Sequence, residues 1–279
     1  MNSSGQTYKK LGVPYFKEVF DIIDEVMQRH HIPCYLIGAS AFALELLNND
    51  IKPGRGTRDI DFAIMTDSHD TYQKVCVALL EQGFRERGSP FRFYAERFNV
   101  VVDILPFGDI EQNHTINFSD RKIEMHVLGL REVLSETIAF PIEDKEVKIP
   151  SLPGMVILKL VAWSDRPENR DNDLADILKI IQHYFDLAFD EIVNHHNDIF
   201  PDDGEIDSIL LAARVLGRKA SAILRKSATL MEYVKQTLEA NLGEVQKSAI
   251  AKRWAREKDW TVEYALLVLK NFYRGIMES

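Results

Sequence analysis

Cysteine is scarce in this chain of 279 residues: Cys34 and Cys76 are the only two, and both sit in apolar runs. That excludes a disulfide framework or a thiolate zinc site, and both are expected to be core residues. Long hydrophobic runs are also missing, and the opening Met-Asn-Ser-Ser-Gly-Gln-Thr-Tyr-Lys-Lys has no apolar stretch. With nothing near the ~18 residues that a membrane span needs, no membrane partner is expected and the expected compartment is the cytoplasm. Low-complexity segments and internal repeats are absent as well. An overall excess of positive charge is lacking, since the formal net charge is −9, which argues against a general nucleic-acid binder.

What is present is the balance of a globular protein, 46% hydrophobic and 28% charged, in a chain long enough for two ordinary domains. The charge is uneven. Residues 210–279 carry 13 Lys and Arg against 7 Asp and Glu, so a basic helical tail accompanies an acidic remainder. Such a tail is either a solvated helix face or a surface for RNA.

The first 150 residues alternate between helical and strand patterns. Apolar positions 16, 19, 20, 22, 23, 26 and 27 have helical spacing. A buried strand then runs to Gly38, and a helix from Ala39 ends at Asn48-Asn49-Asp50. A Pro/Gly loop over 52–56 leads into a strand, and Asp67 or Ser68 can cap a helix that Gly83 stops. Antiparallel strands are expected between Phe84 and Leu105, another strand near 122–128, and a short helix over 130–137. From Ser151 the pattern is helical to the end, broken at Pro167 and at connectors near 201–204 and 241–243. The fold class is therefore α+β: an N-terminal mixed-sheet domain over 1–150 followed by a C-terminal helical bundle over 151–279.

Within this frame, Arg55-Gly-Thr-Arg-Asp59-Ile-Asp61-Phe62 puts two carboxylates on one face of a strand, because side chains at i and i+2 point the same way. Gathering like charge is costly unless a cation neutralises it. A third carboxylate, Asp103, lies in the β-branched run Asn99-Val-Val-Val-Asp103-Ile-Leu, and Gly38-Ala39-Ser40 forms a small-residue turn between strand and helix. Such a turn offers backbone N–H groups to phosphates. Strand-borne carboxylates suit Mg²⁺, which takes oxygen ligands, and two such ions about 3.5–4 Å apart serve in-line phosphoryl displacement. On this reading Asp59 and Asp61 ligate two Mg²⁺ ions, with Mn²⁺ as a substitute. Asp103 holds the acceptor-side ion and takes the acceptor's proton. The rival reading is structural: Asp59 caps a turn, Asp61 faces solvent and Asp103 pairs with Arg58 or Arg92.

These motifs, with Val102-Asp103-Ile-Leu, resemble the DNA polymerase β-like nucleotidyltransferase superfamily. Within it the chain is most similar to the abortive-infection type IV toxin nucleotidyltransferases, through Arg55-x-Thr57-x-Asp59-Ile-Asp61, Leu158-Lys159-Leu-Val-Ala162, Arg166 and Asn172-Asp173-Leu-Ala-Asp176-Ile177. The likeness spans about residues 33–180. Ala39 stands where the family has a second small Gly or Ser, and Asn172 where it has Lys. The resemblance implies a metal-dependent enzyme moving a nucleoside monophosphate from an NTP such as ATP to a hydroxyl acceptor, with tRNA ends as acceptor and an antitoxin as protein partner. It implies that Gly38, Ala39, Ser40, Lys159 and Asp176 bind the nucleotide. Small-molecule, antibiotic-type acceptors occur in related branches, and a non-catalytic nucleotide-binding module of a defence pair is the alternative from another class. His195-His196 reads as a polar helix end, since no third ligand falls at useful spacing.

Overall fold

A computed structural model describes residues 4–53, 59–118, 122–201 and 205–278. Arg55, Thr57 and Arg58 of the motif, and the glycines of the 52–56 loop, lie outside these residues. The chain divides into two compact units, Met1–Ser151 and Leu152–Ser279.

The first unit is α+β. Helix α1 (Phe16–Arg29) buries Phe16, Val19, Phe20, Ile23, Val26 and Met27, the stripe its spacing predicts. Strand β1 (Cys34–Ile37) runs directly into α2 (Gly38–Asn48), and β2 (Asp59–Met65) follows. Ser68 caps α3 (His69–Glu81) by accepting from the Thr71 N–H, which satisfies a donor the first helical turn leaves open. Strands β3 (Phe84–Arg87), β4 (Ser89–Ala95) and β5 (Val100–Phe107) come next. A separate hairpin, β6 (Thr115–Phe118) and β7 (Ile123–His126), precedes a short α4 (Leu130–Leu134).

The main sheet has seven strands in the order β3-β4-β5-β2-β1-β9-β8, where β8 (Thr137–Ile142) and β9 (Lys145–Pro150) form a hairpin at one edge. The short helix expected over 130–137 is limited to one turn, and its end is taken by β8. Two strand pairs are parallel, β2 with β5 and β1 with β9; the others are antiparallel. Ile60, Phe62 and Ile64 are buried on one face of β2, where Phe62 meets Phe20 of α1 with ring centroids 6.5 Å apart. Asp59 and Asp61 therefore stand on the opposite face. Cys76 is buried as expected, whereas Cys34, at the start of β1, is only partly covered.

Among the described residues the second unit is helical apart from its connectors. Helices α5 (Leu152–Asp165), α6 (Asp171–Leu187), α7 (Phe189–His195), α8 (Ser208–Leu224), α9 (Ala228–Glu239), α10 (Ala249–Lys258) and α11 (Val262–Glu278) build it. Ser248 caps α10, while Asn241 in the preceding connector accepts from the Ala249 N–H at 2.9 Å. Helices α8 and α11 cross at Gly217 and Gly275, so closely that a Cβ on either would strike the other helix's backbone. Trp254 Nε1 donates to the Leu174 carbonyl at 2.8 Å, tying α10 to α6 in the core. Among the described residues no helix is long and apolar enough to cross a membrane.

Candidate active site

The site is built by strand register. On adjacent strands Ile37 faces Asp61, Asp61 faces Asp103, and Asp103 faces Arg92, so one rung crosses β1, β2, β5 and β4. Asp59 stands two residues before Asp61 on the same face, opposite Val101. Asp59 and Asp61 are half-buried, and Asp103 is buried. A parallel β2–β5 pair delivers this arrangement because a one-residue slip would turn Asp103 to the other face.

The turn at Gly38 belongs to the same place. Gly38 has φ +66°, a left-handed conformation that costs glycine little. A Cβ there would overlap Asp61 Oδ2 and lie 2.9 Å from its Cγ. The Asp61 carboxylate thus occupies the space that the missing side chain leaves. Gly38 is exposed, Ala39 half-buried and Ser40 fully buried. The Ser40 hydroxyl donates to the Asp59 carbonyl at 3.4 Å, so it braces α2 against the start of β2.

Arg92 makes charged contacts with two of the three carboxylates, Asp103 and Asp59. Its Nε donates to Asp103 Oδ1 at 2.8 Å and its Nη2 to Asp103 Oδ2 at 2.7 Å, a bidentate pair. The same Nη2 lies 3.4 Å from Asp59 Oδ2. The hydrogen bonds from Arg92 to Asp103 hold the guanidinium pKa above its ordinary value, outweighing partial burial. The pairing of Asp103 with Arg92 that the structural reading allows is therefore present, and the same guanidinium also reaches Asp59. Their donor chemistry, hard oxygens on one face of two neighbouring strands, fits Mg²⁺. Among the described residues, however, no three His, Cys, Asp or Glu side chains are gathered as a ready ligand set.

Lys159, Asp173 and Asp176 lie in the helical unit and form a set of their own. Lys159 projects from α5 with Nζ 3.1 Å from Asp173 Oδ1 and 2.7 Å from Asp176 Oδ2, and all three residues are buried. Arg166 pairs with Asp165, and Arg170 reaches only to 3.8 Å from Asp173 Oδ2, a buried atom with no hydrogen bond. A lysine flanked by Val156, Ile157, Leu160 and Val161 needs partners, and α6 supplies two of them one turn apart.

Several basic residues of the tail are ion-paired within the helical unit. Arg214 and Arg218 bind Glu278, Arg218 also binds Asp198, Arg253 binds Asp171 and Glu257, and Lys219 binds Glu191. His195 ends α7, and His196 lies 3.3 Å from Arg218, beside no metal set among the described residues.

Carboxylates on adjacent strands thus lie beside a strand–glycine–helix turn. Residues 25–266 match the family described as nucleotidyl transferase AbiEii toxin, Type IV TA system, and the chain belongs to that family. No curated protein matches the chain. Two solved structures are similar at low identity. The antibiotic-resistance factor ANT(2'')-Ia is 12% identical over 77% of this chain and 95% of that one, with TM-score 0.34. An antigenic nucleotidyltransferase-like protein from Paracoccidioides brasiliensis is 14% identical over 80% and 94%, with TM-score 0.40.

Proposed function

We propose that this nucleotidyltransferase moves a nucleoside monophosphate from an NTP to a hydroxyl group, with Asp59, Asp61 and Asp103 holding divalent ions. The observation that carries this reading is the seat of Asp61: its carboxylate lies against the Gly38 turn and on one rung with Asp103. A phosphate chain and a cation are thereby drawn to one spot. When bound, Mg²⁺ or Mn²⁺ neutralises charge that builds on the reacting phosphoryl group and the departing pyrophosphate.

The chain's own residues do the positioning. Gly38 and Ala39 present backbone N–H groups at the start of α2, where the helix dipole also favours an anion. Ser40 keeps that turn fixed to β2 through the Asp59 carbonyl. Asp103 is a ligand and acceptor-side base whose orientation Arg92 sets. In this proposal Lys159 and Asp176 join the nucleotide-handling set on family likeness, although within the helical unit they are buried and paired with each other. The proposal includes tRNA ends as acceptor, an antitoxin as partner and a cytoplasmic setting, and membership of a Type IV TA toxin family supports it. Arg214, Arg218 and Arg253 of the basic tail are engaged in ion pairs, and its exposed basic residues remain compatible with the RNA reading.

The test is incubation of the protein with total RNA, Mg²⁺ and each labelled NTP in turn. Label transfer that Asp61→Asn abolishes while thermal unfolding stays near wild type supports the proposal. Undiminished transfer by that variant removes it.

A further inference from the structure

We infer that Arg92 is a resident counter-ion of the acidic row, competing within the chain for the place a divalent ion takes between Asp59 and Asp103. The inference rests on the metal-binding reading of those carboxylates proposed above and specifies how loading is controlled.

Register alone brings Arg92 there, since it faces Asp103 directly on the antiparallel β4–β5 pair. Its guanidinium fork takes both oxygens of Asp103, at 2.8 and 2.7 Å, and one nitrogen reaches on to Asp59 Oδ2 at 3.4 Å. A single positively charged nitrogen so stands between oxygens carried by β5 and β2. A divalent ion shared by the same two residues needs those oxygens turned toward it, and the two cations repel each other at such separations.

The exposures say which partner yields. The Asp103 side chain is 10% exposed and the Arg92 side chain 40%. The carboxylate is locked in the sheet, whereas the arginine can swing its charged end into water while its stem stays on the strand. Ion loading is then an exchange: the guanidinium leaves Asp59 and loosens on Asp103 as the divalent ion enters. Its bidentate fit to a carboxylate makes it a better competitor than a lysine ammonium, which has no fork. Before the ion arrives, the same contacts keep like charges from forcing β2 and β5 apart.

The experiment titrates the full chain with Mn²⁺ alone and reads free Mn²⁺ by electron paramagnetic resonance, with thermal unfolding in parallel. Arg92→Gln is expected to bind Mn²⁺ roughly tenfold more tightly than wild type, within the usual range of coupling between sites. Its metal-free form should melt lower than wild type and gain more on Mn²⁺ addition. Arg92→Lys should fall between the two in affinity. An Arg92→Gln protein that is folded but binds Mn²⁺ no more tightly than wild type overturns the inference. If that variant is unfolded without metal, Arg92→Lys decides: affinity above wild type supports the competition, and affinity at or below it overturns it. Wild-type binding that Asp61→Asn abolishes keeps the metal site standing whatever Arg92 does. Absence of Mn²⁺ binding in both wild type and Arg92→Gln removes the site and the inference together.

Discussion

Replacing Gly38 by alanine tests the link between the turn and the carboxylates, and two separable costs can be worked out for it. The first is conformational: at φ +66° an alanine pays about 1–2 kcal/mol for the left-handed backbone. For a domain of this size each kcal/mol lowers the melting temperature by roughly 2–4 °C, so a fall of about 2–8 °C is expected. The second is collision with Asp61, whose Cγ would lie 2.9 Å and whose Cβ 3.1 Å from the added methyl. Because the side chain is short and three of its atoms are involved, either the carboxylate rotates away or the turn shifts. A displacement near 1 Å at a reacting centre costs on the order of 100-fold in rate. Gly83→Ala isolates the first cost, since Gly83 has φ +85° but nothing within 4 Å of an added Cβ. Gly38→Ala should lose at least as much stability as Gly83→Ala, measured by calorimetry. Only Gly38→Ala should lose nucleotide transfer and Mn²⁺ affinity. Equal activity in the two variants would refute the claim that the turn and Asp61 form one site.

Three further outcomes follow from other contacts. Lys159→Met should destabilise the protein by about 3–5 kcal/mol in denaturant titration, because two buried carboxylates lose a shared cation; Lys159→Met with Asp173→Asn and Asp176→Asn should recover much of it. Gly217→Ala should cost about 1–3 kcal/mol or more, since its methyl meets the Phe272 carbonyl and Gly275 Cα rather than a movable side chain; a melting temperature equal to wild type would contradict the close crossing of α8 and α11. Burial raises the Glu278 pKa, but hydrogen bonds from Arg214 and Arg218 outweigh it and leave the value below the ordinary one. The stabilisation is therefore complete above the titration of an unfolded glutamate, about pH 4.3, and disappears as pH falls through the lower folded value. Glu278→Gln should accordingly show a shallower loss of stability on acidification than wild type, read from melting temperatures across that range.

The acidic motif was readable because its signal is local. Alternation alone puts Asp59 and Asp61 on one face, and an apolar strand ending at a glycine announces the turn. Helix α1, the Ser68 cap and the start of α5 after Ser151 were equally open to inspection, since 3.6-residue spacing and capping chemistry act over a few residues. The β8–β9 hairpin was not. Thr137-Ile-Ala-Phe-Pro-Ile contains Pro141, which weakens a strand reading, and β8 tolerates it by lying at the sheet edge. Parallel pairing of β9 with β1 joins segments over a hundred residues apart, and no local pattern encodes it.

The site divides along the same line. Sequence by itself determined that three carboxylates, a glycine turn and a lysine amid apolar residues exist. Only the tertiary structure decided who stands beside whom: Asp61 in the hollow of Gly38, Arg92 across both oxygens of Asp103, and Lys159 between Asp173 and Asp176 in a buried set. Periodicity and turn preferences are properties of neighbouring residues, whereas strand order, register and helix crossing are set by burial and hydrogen bonding summed over the whole domain.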